Sequence, residues 1–390
     1  MDKEIAAGYK QTEVGVIPVD WNPLKIKEIT TVIGDGIHST PVYSKLTDYF
    51  FINGNNIVNG SIVITTNTKR VGAIEYQKHK KQLNKQTVFL SINGTIGNVA
   101  LYDGEKIILG KSAAYLNVKN DYSKIYFYYS LQTNTTHQIF EDGLTGSTIK
   151  NLGLGTIRNT LIPIPPTKIE QTAIATALSD VDALISSLDN TLAKKRLIKQ
   201  GTMQELLTGK KRLAGFSGKW EVKLIGDFLK VKHGKSQKEV ESTNGEYPIL
   251  GTGGVMGYTN HFLYDKPSVL IGRKGTIDKP QFMNSPFWTV DTLFYTEIFS
   301  DYSPQYIYYI FLLIDWYSYN EASGVPSLNA KTIENIEIIM APTKTEQTAI
   351  AQTLSDIDNE IETLETRRTK TLTIKQGMMQ ELLTGKTRLI

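Results

Sequence analysis

The sequence predicts a mixed α/β architecture in which two globular domains alternate with two long helices. Three observations predict it. Residues 166–185 read PTKIEQTAIATALSDVDALI and residues 342–361 read PTKTEQTAIAQTLSDIDNEI, so one segment occurs twice, 176 positions apart. Each copy carries a sustained helical apolar stripe. The chain before each copy consists of short apolar runs bounded by Gly, Asn and Pro, the pattern of strands and turns. The expected organisation is a first domain over 1–165, a helix over 166–213, a second domain over 214–341 and a helix over 342–390. The two helices are expected to pair antiparallel as a coiled coil with pseudo-two-fold symmetry.

A chain of 390 residues has room for two or three domains, each able to bury its own core. Its 43 Lys and Arg against 39 Asp and Glu leave a charge of +4, a balance that does not repel phosphates. Cysteine is absent, which excludes disulfides, thiolate metal sites and a Cys nucleophile and fits a reducing cytosol. MDKEIAAGYKQTEVGVIP, at the start, lacks the apolar run of a signal peptide. No stretch reaches the roughly 20 apolar residues of a membrane helix. The expectation is a soluble cytoplasmic protein that makes no membrane contact.

Each helix opens on a start signal. Thr167 and Thr343 are followed three residues later by Glu170 and Glu346, the spacing of a capping box in which each side chain satisfies the other's backbone donor. Pro165, Pro166 and Pro342 stop the preceding strand. Apolar residues then recur at steps of four and three: Ile174, Leu178, Val181, Ile185 and Leu188 in one copy, Ile350, Leu354, Ile357, Ile361 and Leu364 in the other. These are the expected inter-helix packing positions. The pattern resumes in IKQGTMQELLTGKKRL (198–213) and IKQGMMQELLTGKTRL (374–389). Gly209 and Gly385 suit left-handed caps, and the basic tails with Arg212 and Arg388 suit helix C-termini. A helix of about 40 residues is roughly 60 Å long. With one apolar stripe it needs a partner, and the other copy is the obvious one.

The two domains share a skeleton. GVIPVDWNPLKIKEIT (15–30) parallels GFSGKWEVKLIGDFLK (215–230), aligning Trp21 with Trp220. VFLSINGTIGNVA (88–100) parallels SVLIGRKGTIDKP (268–280), an apolar strand running into a glycine turn. DYSKIYFYYSLQ (121–132) parallels DYSPQYIYYIFLL (301–313), read as core helices. The loops differ far more than the helices do.

A domain–helix–domain–helix chain with IPVDW (17–21), EQTAIA at both helix starts and LLTGK-x-RL at both helix ends resembles the specificity subunit of Type I restriction-modification systems. The resemblance spans essentially the whole chain. It implies two target recognition domains, each reading one half of a split site on double-stranded DNA. It implies that the helices set the spacing, about one helical turn or roughly 34 Å, and dock two methyltransferase subunits. Restriction subunits join where the complex also cuts. The chain itself is then non-catalytic and binds no cofactor, and S-adenosylmethionine is expected in the partner subunits. A bipartite site read by two domains for one kind of partner explains similar helices beside dissimilar loops.

Enzymatic motifs are weak. GEKIILGKS (104–112) has five residues between glycines where a phosphate loop has four, and reads as a hairpin. GTGGVMGYTN (251–260) is followed by strand and turn, not the helix a dinucleotide loop needs. The adenine-methylase signatures D-P-P-Y and N-P-P-Y are absent, and the five histidines lack metal-ligand spacing. Asp103, Glu105 and Lys106 form a loose carboxylate cluster that reads as a solvated turn.

Base reading needs Arg, Asn, Gln, Ser, Thr or His on loops, and phosphates need Lys, Arg or backbone donors. In the first domain the candidates are His38, Ser39 and Thr40 in GDGIHSTPVY; Asn67, Lys69 and Arg70; the basic run with Lys78 and Lys80; Asn93 and Thr95; and Ser147, Thr148 and Lys150. In the second they are Lys232, His233, Lys235, Ser236 and Gln237; Thr252 and Tyr258; and the glycine-turn pair Arg273 and Lys274. The competing readings are a stand-alone DNA-binding or antirestriction-type interaction protein, which a neighbouring methyltransferase gene argues against, and a metal-dependent nuclease.

Overall fold

The computed structural model describes residues 5–146 and 150–389, so the expected contacts Ser147 and Thr148 lie outside the described residues. The fold is mixed α/β. The chain divides into two compact units, Met1–Ser187 with Arg368–Ile390, and Leu188–Arg367. The division cuts both long helices, Lys168–Leu206 and Lys344–Leu382. Each unit thus holds one domain, the first half of the helix that follows it and the last half of the other helix.

In the first unit a four-stranded antiparallel sheet runs in the order Thr30–Asp35, Ala113–Val118, Thr87–Ser91, Val99–Leu101. In the second, Leu229–His233, Leu293–Ile298, Ser268–Gly272 and Gln281–Met283 repeat that order. The inner strands Thr87–Ser91, Ala113–Val118 and Ser268–Gly272 are buried at every position, so their polar groups need internal partners. Thr87 Oγ1 donates to Asn117 Oδ1 at 2.6 Å, and Ser268 Oγ donates to the Thr296 carbonyl at 2.8 Å. The aromatic helices Lys124–Ser130 and Pro304–Phe311 bury Tyr126, Phe127, Tyr129, Tyr306, Tyr309 and Phe311 in the two cores.

The stretch 104–112 departs from the hairpin reading. Its strand Ile107–Leu109 pairs in parallel with Phe50–Ile52, as Trp288–Thr289 does with Tyr247–Gly251 in the second unit. Three successive buried apolar residues suit an enclosed parallel pair better than a surface hairpin.

Within each unit the helix halves run antiparallel. Glu170 and Asp182 meet Arg388 and Lys375 in the first unit; Lys199 and Arg212 meet Asp358 and Glu346 in the second. Ile174 and Leu178 are buried in one cluster with Trp21, Tyr126, Leu382 and Leu383. Ile350 and Leu354 are buried with Met203, Leu206, Phe228 and Tyr306. The first seam positions therefore serve the domain core as well as the partner helix. Further along, Ile185, Leu188 and Ile361 are buried, while Val181, Ile357 and Leu364 are half-buried.

The capping boxes form by half. Thr167 and Thr343 accept from the backbone N–H of Glu170 and Glu346, each at 3.2 Å. The two carboxylates do not return to the cap: each is buried and takes an arginine from the end of the other long helix. A buried carboxylate gains more from a guanidinium than from one backbone donor. For the same reason Arg212 and Arg388 are not solvated helix tails.

Candidate nucleic-acid interface

The loops expected to read DNA leave the two sheets at equivalent points. Gly36 ends strand Thr30–Asp35, and a Cβ there would lie 2.2 Å from the Leu109 carbonyl oxygen. Gly234 ends Leu229–His233, and a Cβ there would lie 2.0 Å from that of Val290. Only glycine permits this approach. Ile37 N then donates to Leu109 O at 2.7 Å, and Lys235 N to Thr289 O at 2.8 Å.

In the first unit His38, Ser39 and Thr40 are exposed beyond that glycine, with His38 Nε2 3.0 Å from Asp35 Oδ2. Asn67 and Lys69 line a cleft of about 420 Å³ with Tyr43, Phe51, Asn53 and Asn55, at the end of strand Phe50–Ile52. The Lys69 ammonium stands 4.5 Å from the centre of the Tyr43 ring, a cation–π contact. Arg70 is engaged differently: its guanidinium lies 4.9 Å over Phe50 and donates to Thr47 O at 2.8 Å, so it braces the loop. Lys78 and Lys80 are exposed at the end of helix Ala73–His79. Thr95 Oγ1 donates to Gly54 O at 3.1 Å, which brings the turn holding Asn93 beside the cleft. Lys150 is exposed next to Asn151, which bridges to Asn93.

In the second unit Arg273 occupies the place of Ile92. Arg273 N donates to Thr292 O at 2.8 Å as Ile92 N does to Ser112 O at 2.9 Å. Leu328 N donates to Arg273 O at 2.9 Å as Leu152 N does to Ile92 O at 2.8 Å. One Arg273 nitrogen bonds the Asp291 carbonyl at 3.1 Å, and Lys274 is exposed beside it. Thr252 Oγ1 lies 3.9 Å from where a Gly275 Cβ would stand, so Thr252 joins this turn. Tyr258 is exposed, along with Val255 and Met256, on strand Gly254–Thr259. Lys235 and Ser236 are exposed and Gln237 is half-buried. Lys232 pairs with Glu297 at 3.4 Å, and the His233 ring packs edge-on to Phe294, so these two contribute to the sheet.

Sequence reasoning missed Asn53 and Asn55. The signal was FINGNN (51–56), an Asn-rich turn closing an apolar strand. It also missed the side chains that tie each domain to its helices. In the first unit Arg388 bonds Glu170 and, at 3.0 and 3.1 Å, Asp20 of IPVDW. The Arg388 hydrogen bond holds the Asp20 carboxyl below the usual aspartate range. Tyr129 OH donates to Asp182 at 2.7 Å, and Lys375 pairs with that carboxylate at 2.6 Å. In the second unit Arg212 and Trp220 Nε1 take Glu346, and Tyr309 and Lys199 take Asp358 at 2.8 and 2.5 Å. Burial, then the bonded carboxylate, pushes the Tyr309 phenol well above its usual range. Gln171 and Gln347 accept from the backbone N–H of Ser123 and Ser303 at 2.9 and 3.0 Å, fixing the aromatic helices. The Glu–Arg, Asp–Lys, Asp–Tyr and Gln–Ser ties recur in both units, whereas Asp20–Arg388 and Trp220–Glu346 do not, and the loops expected to read DNA differ.

Among the described residues no group of three His or carboxylate side chains could hold a metal ion, and no helix is long and apolar enough to cross a membrane. Asp103 and Glu105 form a local turn in which Asp103 N donates to the Glu105 carboxylate at 3.0 Å.

A family profile described as Type I restriction modification DNA specificity domain matches residues 18–195 and 217–373. The chain belongs to this family. It is a Type I specificity subunit with DNA-recognition domains. The Type I restriction enzyme MjaIX specificity subunit of Methanocaldococcus jannaschii is 27% identical over 380 residues, covering 86% of each chain. The MjaVIII specificity subunit of the same organism is 24% identical, covering 95% of this chain and 94% of the relative. The crystal structure of a Type-I restriction-modification S subunit from M. genitalium matches with a TM-score of 0.65 at 18% identity, covering 93% of this chain and 96% of that one. That likeness is one of fold. The specificity subunit described here thus repeats one framework and one set of helix ties, and varies the loops.

Proposed function

We propose that each unit reads one half of a bipartite site on double-stranded DNA, and that the long helices fix the spacing and present docking surfaces to two methyltransferase subunits. The chain supplies recognition. The partners, carrying S-adenosylmethionine, supply adenine N6 methylation, and restriction subunits supply cleavage where they join. One observation carries this reading: Glu170/Arg388 and Asp182/Lys375 recur as Glu346/Arg212 and Asp358/Lys199, whereas Asn93 is replaced by Lys274 and Ile92 by Arg273. Like ties suit one kind of partner, and unlike loops suit two different half-sites. The DNA-binding candidates act from those loops: His38, Ser39, Thr40, Asn67, Lys69, Lys78, Lys80, Asn93, Thr95 and Lys150 on one half-site, and Lys235, Ser236, Gln237, Thr252, Tyr258, Arg273 and Lys274 on the other.

The test is base-resolution methylation mapping in a methylation-free host that expresses the chain with its methyltransferase, and each alone. A split motif with methyl-adenines on opposite strands, seen only with both proteins, is the expected result. Methylation by this chain alone would make it an enzyme. A soluble, intact complex that methylates nothing would favour a stand-alone DNA-binding protein.

A further inference from the structure

The cleft at the end of strand Phe50–Ile52 has unevenly committed amides. Asn56 is spent on the fold: its Oδ1 accepts from Asn53 N at 3.0 Å and its Nδ2 donates to Val63 O at 3.1 Å. Asn53 Oδ1 accepts from Ser112 Oγ at 3.0 Å. Asn55 and Asn67 are exposed, and neither carboxamide bonds another described residue. The turn that carries Asn67 is held rigid, with Thr65 N donating to Thr68 Oγ1 at 2.8 Å and Asn67 N to Thr65 Oγ1 at 3.3 Å. Two uncommitted carboxamides, each one donor beside one acceptor, thus project from turns whose backbones are braced by their own hydrogen bonds. Lys69 stands beside them on the Tyr43 ring.

We propose that the mouth of this cleft takes an adenine, read by Asn55 and Asn67, with Lys69 on the adjoining phosphate. The proposal rests on the DNA-recognition reading above and names the base class that the first unit selects. A carboxamide offers one donor and one acceptor side by side. Adenine offers the complement, as N6–H with N7 in the major groove or N6–H with N1 when extruded. Guanine presents two major-groove acceptors, which two donors on Arg or Lys match instead. The corresponding turn of the second unit, GTGGVMG (251–257), has no carboxamide, so its half-site lacks this contact.

The experiment is motif mapping with the full chain and its methyltransferase, comparing wild type, Asn55→Ala/Asn67→Ala and Asn67→Asp. Both variants should lose discrimination roughly tenfold or more at one adenine of the half-site read by the first unit, leaving the other half-site as it was. An intact second half-site also reports a folded chain. Directed methylation with an unchanged motif overturns the proposal, as does relaxation at a G·C pair or equal loss in both halves. Replacing that adenine by 7-deazaadenine in oligonucleotide duplexes separates the two presentations: binding falls if N7 is read in the groove and holds if N1 is read on an extruded base. Should the wild type direct no methylation, the specificity reading falls first. The cleft is then tested by selection from random duplexes with the chain alone. An enriched adenine that depends on Asn55 and Asn67 supports it, and the lack of one overturns it.

Discussion

Arg388 grips the buried carboxylate of Glu170 from 218 positions away, with Nη2 2.9 Å from Oε2 and Nε on Oε1. Arg212 does the same for Glu346 across 134 positions, with Nη2 2.5 Å from Oε2. Each pair joins the start of one long helix, just after a domain ends, to the end of the other.

Removing Arg388 leaves the Glu170 charge buried and unpaired. Arg388→Ala should therefore cost about 2–3 kcal/mol, below the range for a fully buried pair because Arg388 keeps 30% exposure. Arg388→Lys should recover only part of this, since an ammonium cannot make the two-pronged contact. Urea unfolding of the three proteins measures it. Equal stability of wild type and Arg388→Ala would show that the pair contributes nothing.

The Asp20 carboxyl gives a pH signature. Its hydrogen bond with Arg388 lowers its pKa in the folded state, so the unfolded chain binds this proton more tightly. The stabilisation is fully present above the unfolded value, about 3.9, and is lost as pH falls through the lower folded value. Wild type should exceed Asp20→Asn in urea midpoint near neutral pH, and the gap should close in strong acid. A gap unchanged at low pH would mean that the ion pair is not its source.

The tyrosine ties set each domain against its helix. Tyr129→Phe removes the donor to Asp182 and should cost about 1 kcal/mol or slightly more. A double-mutant cycle with Asp182→Asn should give a coupling of similar size. Tyr309→Phe with Asp358→Asn should behave alike, because the same three side chains meet there. Additive single effects would dissolve the tie.

Arg273→Ala addresses the division of labour. Binding should weaken or relax only at the half-site read by the second unit, by about 1–3 kcal/mol at one base pair if the guanidinium reads a base edge. If it holds a phosphate, affinity should fall uniformly and the salt slope should drop by about one. Competition binding on variant duplexes at several salt concentrations separates the two. Equal loss at both half-sites would contradict separate readers.

The duplicated helices, their apolar stripe and the strand-and-turn character of the domains were readable because each depends on residues a few positions apart. So was the glycine turn that carries Arg273. The reading failed where a local pattern admitted a distant competitor. Thr-x-x-Glu satisfies a capping box on paper, and half of it forms. The Glu170 carboxylate is buried, however, and is stabilised more by Arg388 than by a backbone N–H that water reaches. Strand Ile107–Leu109 looked like half of a hairpin, yet its three apolar residues pack against Phe50–Ile52.

The candidate reading surface divides in the same way. Loop composition marked Asn67, Lys69, Arg70, Arg273 and Lys274 as candidate DNA contacts. Folding then separated them: Arg70 is spent on Thr47, Lys69 is posted on Tyr43, and Asn55 joins Asn67 at one cleft. Periodicity, caps and turns are carried by neighbouring residues, so the order of residues specifies them. Partners for buried charges and free amides depend on which groups packing leaves unsatisfied, and that is set by contacts between residues far apart in the chain, from Arg70 on Thr47 to Arg388 on Glu170.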